Sequence, residues 1–78
     1  MKWNIAYRTA FEGWRELDVD RCLAMLDWFA SLTDGPPADV QFDSAIGLHW
    51  ATAPTGNRVE MMILPNLVPP LIAIFRIR

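Results

Sequence analysis

The chain has 78 residues and a formal net charge of −2, and 53% of its residues are hydrophobic. That length predicts a single domain, 1–78, which buries only about 60–65% of the surface of its unfolded form. The one cysteine, Cys22, excludes an intramolecular disulfide, and one cysteine with one histidine is too few for a zinc site. We therefore expect stability to come from apolar packing or from a partner.

The chain carries no predicted targeting or membrane segment. Residues 1–4 are not followed by an apolar run with a small-residue cleavage site, which a signal peptide needs. The longest apolar stretch, 67–75, is too short to span a bilayer and contains two prolines. A lone cysteine fits a reducing compartment, so we expect a cytoplasmic protein without membrane contact.

The N-terminal half predicts one strand and two helices. Residues 3–7 alternate in polarity, as a strand with one buried face does. Thr9 and Glu12 have the spacing of a capping box and predict a short first helix. Asp18 then caps a second helix that runs to about Thr33.

The second helix is apolar over a broad surface. Met25 and Trp28 lie beside its main stripe, and the sequence leaves open whether they pack in the core or bind a partner. Cys22 belongs to the main stripe, which predicts a structural role rather than a nucleophile. Gly35 and Pro36 end the helix. The main stripe consists of Val19, Cys22, Leu23, Leu26, Phe29 and Ala30.

The C-terminal half predicts strands joined by turns. The loop 53–57 contains Gly56 and Asn57, which suit a hairpin. The predicted class is therefore α+β: an N-terminal strand, a two-helix hairpin, and a mostly antiparallel sheet of three to four strands. The predicted strands of this half are 40–42, 46–52, 58–64 and 71–77. In the last of them, alternation predicts that Ile72, Ile74, Arg76 and Arg78 share one face.

The candidate functional residues are cationic, because the chain lacks a Gly-rich phosphate loop, a nucleophile elbow and metal-ligand spacing. No metal or cofactor is predicted. Arg58 opens one predicted strand while Arg76 and Arg78 close another, so antiparallel pairing would gather them at one corner. Arginine forks bind phosphate or carboxylate, although terminal charges also keep a sheet edge soluble. His49 is a further catalytic candidate as a general acid or base, or else an ordinary strand residue.

Five short motifs stand out along the chain. In order they are Met1-Lys2-Trp3-Asn4-Ile5, Leu32-Thr33-Asp34-Gly35-Pro36, Gly47-Leu48-His49-Trp50, Thr55-Gly56-Asn57-Arg58-Val59 and Leu71-Ile72-Ala73-Ile74-Phe75-Arg76. Together they span nearly the whole chain, which in this respect resembles the RelE/ParE toxin superfamily.

The resemblance implies a function as well as a fold. RelE-like members cleave mRNA on the ribosome, ParE-like members inhibit DNA gyrase, and an antitoxin holds both inactive. Arg58 and Arg76 would then contact the scissile phosphate. The acidic net charge, Ala51-Thr52-Ala53 where the family often has Glu-Leu-Arg, and the absence of an aromatic residue or histidine after Arg76 speak against ribonuclease activity. These departures favour a ParE-like, diverged or inactive member.

Two hypotheses follow. The first is a toxin-fold protein that binds a macromolecular target, either RNA on the ribosome or gyrase, and pairs with an antitoxin. The second is a small non-enzymatic interaction module or complex subunit. Abundant tryptophan and methionine favour the second, because these residue types serve interfaces. Whether the chain is an enzyme stays open at this point.

Overall fold

A computed structural model describes residues 2–7 and 15–78, which form one mixed β-sheet with an α-helix on one face. The strand order is β1-β5-β4-β3-β2; β1 runs parallel to β5, and all other neighbours are antiparallel. The elements are β1 (Asn4–Ala6), α1 (Val19–Ser31), β2 (Gln41–Asp43), β3 (Leu48–Thr52), β4 (Arg58–Leu64) and β5 (Leu71–Ile77).

The predicted fold was wrong in its sheet and its helices, although the α+β class holds. The sheet has five strands rather than three or four, and β1 pairs parallel with β5 through Ile5 and Ile72. The described residues contain one α-helix instead of a two-helix hairpin. The predicted first helix, starting at Thr9, lies outside those residues. Parallel neighbours cannot be joined by a hairpin, and β1 is separated from β5 by most of the chain.

Helix α1 begins after the predicted cap and ends at Ser31, two residues before the predicted end near Thr33. The Asp18 side chain caps it by accepting a hydrogen bond of 2.8 Å from the Arg21 amide. A 3-10 turn, Leu32–Asp34, follows, and Gly35 then adopts a φ of +132°, which favours glycine. With 13 residues in α1, no helix of the described chain is long and apolar enough to cross a membrane.

Lys2 and Asp34 join the start of the chain to the turn after α1. Their side chains form an exposed ion pair of 2.5 Å. The hydrogen bond and the positive charge from Lys2 lower the pKa of Asp34. The Trp3 amide also donates to the Thr33 carbonyl at 2.8 Å. These contacts place β1 at the sheet edge beside the end of α1.

The core lies between α1 and one face of the sheet. Helix α1 contributes Met25 and Phe29, which are almost completely buried. Alternate residues of the central strands meet them, because successive side chains of a strand point to opposite faces. The sheet's buried apolar residues, including one from the β3–β4 loop, are Ala51, Ala53, Val59, Met61, Ile72, Ile74 and Ile77.

A β-bulge in β5 changes which residues face the core. Arg76 pairs with Glu60 and Ile74 pairs with Met61, so Phe75 is an extra residue without a partner on β4. Strict alternation would put Arg76 on the same face as Ile74, as the sequence predicted. That prediction was wrong, because the bulge moves Arg76 to the opposite face while Ile77 returns to the core.

We expect Ile72→Val to lower the free energy of unfolding by about 0.5–1.5 kcal/mol, because Ile72 is completely buried and the smaller side chain leaves a cavity. Chemical denaturation would measure this loss. The matched control is Val68→Ala, in which a methyl-bearing side chain that is 84% exposed is shortened. Equal effects of the two changes would contradict the assignment of the core to this face.

Candidate functional site

The face of the sheet opposite α1 carries the candidate site. Residues paired across neighbouring strands share a face. Trp50, Glu60 and Arg76 form one such row, and Arg58 lies in the next row beside Thr52. We call this surface the open face, because no helix of the described chain lies on it.

Glu60 is the centre of the site. Its side chain is 1% exposed, although it is a carboxylate on the open face. The Arg76 Nε donates a hydrogen bond of 2.6 Å to Glu60 Oε1, and the Arg78 Nε lies 3.4 Å from the same oxygen. The Arg58 Nε lies 3.4 Å from Oε2. The three predicted arginines therefore do converge, and a buried carboxylate holds them together.

Arg58 is the most firmly held of the three arginines. Its terminal Nη2 donates to Asp43 Oδ2 at 3.0 Å, and its guanidinium carbon lies 4.4 Å above the Trp50 ring. Its Nε is buried and has no hydrogen-bond partner, so the contact with Glu60 is electrostatic only. Arg58 thus links β4 to β2 and β3 and is largely used inside the fold.

Arg76 and Arg78 are more open to solvent, with side chains 44% and 53% exposed. Both direct Nε towards Glu60. Within residues 2–7 and 15–78, their terminal Nη atoms make no hydrogen bond. A guanidinium has five N–H donors, so each side chain keeps donors for a further acceptor.

An apolar strip continues along the open face from the arginines. Leu48, Trp50, Leu64 and Leu71 are half-buried there, and Met62 is 43% exposed. The strand pairings place them on this face, with Leu64 opposite Leu71 and Trp50 opposite Glu60. The open face is therefore cationic at one end and apolar over the rest of its length.

The other predicted site residues lie away from the arginines. His49 pairs with Met61 and Phe42, so it belongs to the helix-covered face, and its ring lies 5.0 Å from that of Phe42. Met25 is completely buried in the core and offers no surface to a partner. Trp28 is half-buried and packs against the core near Phe29.

The sequence reasoning missed two carboxylates, Glu60 and Asp43. A glutamate between Val59 and Met61 was an available signal, because a charge at the centre of an apolar strand needs either solvent or a partner. Asp43 carried no comparable signal, because its contact with Arg58 depends on the pairing of β2 with β3.

The arrangement can bind an anion but offers little for acid–base chemistry. Three guanidiniums and two carboxylates leave one net positive charge at the corner. No cluster of three or more potential metal ligands occurs in the part of the chain that the structure describes. Arginine stays protonated near neutral pH, so it can hold or polarise an oxyanion but cannot act as a general base.

We expect Glu60→Gln to lower the free energy of unfolding by on the order of 3 kcal/mol, because removing one partner of a buried ion pair leaves the others uncompensated. Denaturant melts would measure the loss. Asp39→Asn is the matched control: Asp39 is exposed, and the change should alter stability by less than about 0.5 kcal/mol. A harmless Glu60→Gln would contradict the central position of this carboxylate.

Comparison with protein-family models, with curated proteins and with solved structures finds no match for this chain. The resemblance to the RelE/ParE superfamily therefore rests on the motifs in the sequence alone. The geometry of the open face is what supports a functional proposal.

Proposed function

We propose that this domain is a non-enzymatic interaction module that binds a protein partner through the open face of its sheet. The observation that supports the proposal is the apolar strip beside the arginine corner. Sheets in small α+β domains bury one face on a helix, and an apolar second face gains free energy when a further layer covers it. Each Å² of apolar surface that a partner removes from water contributes about 25 cal/mol to the free energy of binding. Covering the strip therefore favours association.

The surroundings of the arginines favour binding over catalysis. Arg58 is committed to Asp43, Glu60 and Trp50. His49, the candidate acid or base, belongs to the opposite face of the sheet. The two carboxylates on the same face, Glu60 and Asp43, are paired with the arginines, an arrangement that favours holding an anion over transferring a proton.

The charge of the open face indicates the chemistry of the partner's surface. The corner carries a net positive charge next to the apolar strip, so a matching surface presents apolar side chains with acidic residues at one end. Trp50 and Met62 suit the apolar part of such a contact, because aromatic residues and methionine are enriched in interfaces. We place this interaction in the cytoplasm, as the sequence predicts.

We expect Met62→Glu to release a partner that copurifies with the tagged chain from its native host, because the change puts a charge at the centre of the apolar strip. The control is Val19→Glu, which adds the same charge at an exposed position on the other side of the sheet. Quantitative mass spectrometry of both preparations would measure partner recovery, with circular dichroism to check the fold. Recovery that is equal in both variants would contradict the proposal.

A toxin of the RelE/ParE type is the second candidate. The observation that favours it is the approach of Arg58 and Arg76 to the same carboxylate, since these are the two arginines that the resemblance assigns to the phosphate. In this case the corner would face RNA or gyrase, and an antitoxin would cover it.

Induced expression in a bacterial host separates the two candidates. If the toxin candidate is correct, growth stops, Arg58→Ala restores it, and the matched Arg21→Ala variant on α1 remains toxic. RNA integrity and DNA topology, followed together, would distinguish cleavage from gyrase inhibition. The interaction module predicts normal growth with all three proteins.

A further inference from the structure

We infer that Arg76 and Arg78 together form a carboxylate-binding fork, which takes an acidic side chain of the protein partner. The inference rests on the proposed function and divides the arginines into two roles. Arg58 is part of the framework of the site, whereas Arg76 and Arg78 bind the ligand. Four steps lead to this division.

The first step is the orientation of the guanidiniums. Glu60 is buried and attracts the Nε atoms of Arg76 and Arg78 to a single oxygen, at 2.6 and 3.4 Å. A guanidinium has five N–H donors, and the terminal Nη atoms of both side chains make no hydrogen bond within the described residues. Because these side chains are 44% and 53% exposed, they keep donors that a ligand can reach.

The second step is the rigidity of the main chain beneath the fork. The Arg78 amide donates to the Arg58 carbonyl at 2.8 Å, and the Arg78 carbonyl accepts from Asn57 Nδ2 at 3.1 Å. Arg76 is held by its pairing with Glu60 at the bulge. Both side chains therefore start from fixed positions, which lowers the entropic cost of ordering them when a ligand binds.

The third step separates Arg58 from the fork. One of its terminal nitrogens already binds Asp43, and its guanidinium carbon lies 4.4 Å from the centroid of the Trp50 ring. Its side chain is 36% exposed, less than those of Arg76 and Arg78. Arg58 therefore offers fewer donors to a ligand than Arg76 and Arg78, whose terminal nitrogens make no hydrogen bond within the described residues.

The fourth step concerns the charge of the ligand. Glu60 and Asp43 reduce the three positive charges of the corner to a net value of one, which matches a single carboxylate better than a doubly charged phosphate. The chain as a whole has a net charge of −2, which opposes a polyanion. The apolar strip that starts at Trp50 continues the site in a way that suits a protein and not a nucleic-acid backbone.

Sodium acetate and inorganic phosphate are the probes for a direct test. Each is titrated into the labelled protein at constant ionic strength, while the arginine Nε–Hε signals are followed by NMR. We expect saturable shifts at Arg76 and Arg78 with acetate, and only a small linear drift at Arg21, an exposed arginine on α1. The absence of saturation at Arg76 and Arg78 would overturn the inference. Saturation at lower concentrations of phosphate than of acetate would also overturn it and would favour a phosphate-bearing ligand.

Partner binding gives an independent test. Arg78→Gln is the preferred variant, because Arg78 makes no hydrogen bond to Glu60 and its loss should leave the fold intact. We expect about tenfold weaker partner binding, the loss of one charge-assisted hydrogen bond. Arg78→Lys should recover only part of the affinity, because lysine keeps the positive charge but lacks the planar guanidinium that can donate two parallel hydrogen bonds to a carboxylate.

The same assay distinguishes the two proposals. Unchanged affinity in Arg78→Gln, together with release of the partner by Met62→Glu, would remove the fork but leave the open face as the binding surface. Unchanged affinity in both variants would remove both proposals.

Discussion

The buried carboxylate of Glu60 is the interaction on which the open face depends. An ionised side chain removed from water costs several kcal/mol unless opposite charges and hydrogen bonds compensate for it. Here three arginines supply that compensation, one from the same strand and two from its neighbour or the residue after it. Any shift of β5 against β4 would separate Arg76 from Glu60. The ion network therefore fixes the register of the two central strands as well as the positions of the cations.

The network also joins elements that are distant in the chain. Arg58 extends it to Asp43 on β2, and Trp50 on β3 contacts the same guanidinium. Four of the five strands, or the residues that continue them, thus contribute to one cluster. The cluster contains Arg58, which has a structural role, and Arg76 and Arg78, to which we assign the binding role. All three lie against the carboxylate of Glu60, which sets their positions on the surface.

Local patterns predicted the local elements well. The bounds of β4 and β5 agree with the predicted 58–64 and 71–77, because these strands have strong β propensity and clear turns at their ends. The cap of α1 at Asp18 was also predicted correctly from the sequence. The parallel pairing of β1 and the bulge at Phe75 could not be predicted, because both depend on contacts between residues far apart in sequence.

The site was predictable only in part, for the same reason. The positions of Arg58, Arg76 and Arg78 at strand ends were enough to predict that they meet. Glu60, which holds them, was overlooked although its charge within an apolar strand signalled a need for solvent or a partner. Which partners it has depends on the pairing of β4 with β5. The face of Arg76 followed from the bulge and not from alternation, so the sequence placed it beside the wrong neighbours.

The parallel pairing of β1 with β5 also affects the order in which the strands assemble. Strands β3 and β4 are joined by five residues, whereas pairing Asn4 with Leu71 closes a loop that includes almost the whole chain. By the logarithmic dependence of loop entropy on length, the longer closure costs about 2 kcal/mol more. We therefore expect the antiparallel strands to assemble first, with the N-terminal strand added last. A strand that joins last through three residue pairs is also the one that detaches most easily, so the molecule can open at that edge without disturbing the arginine corner.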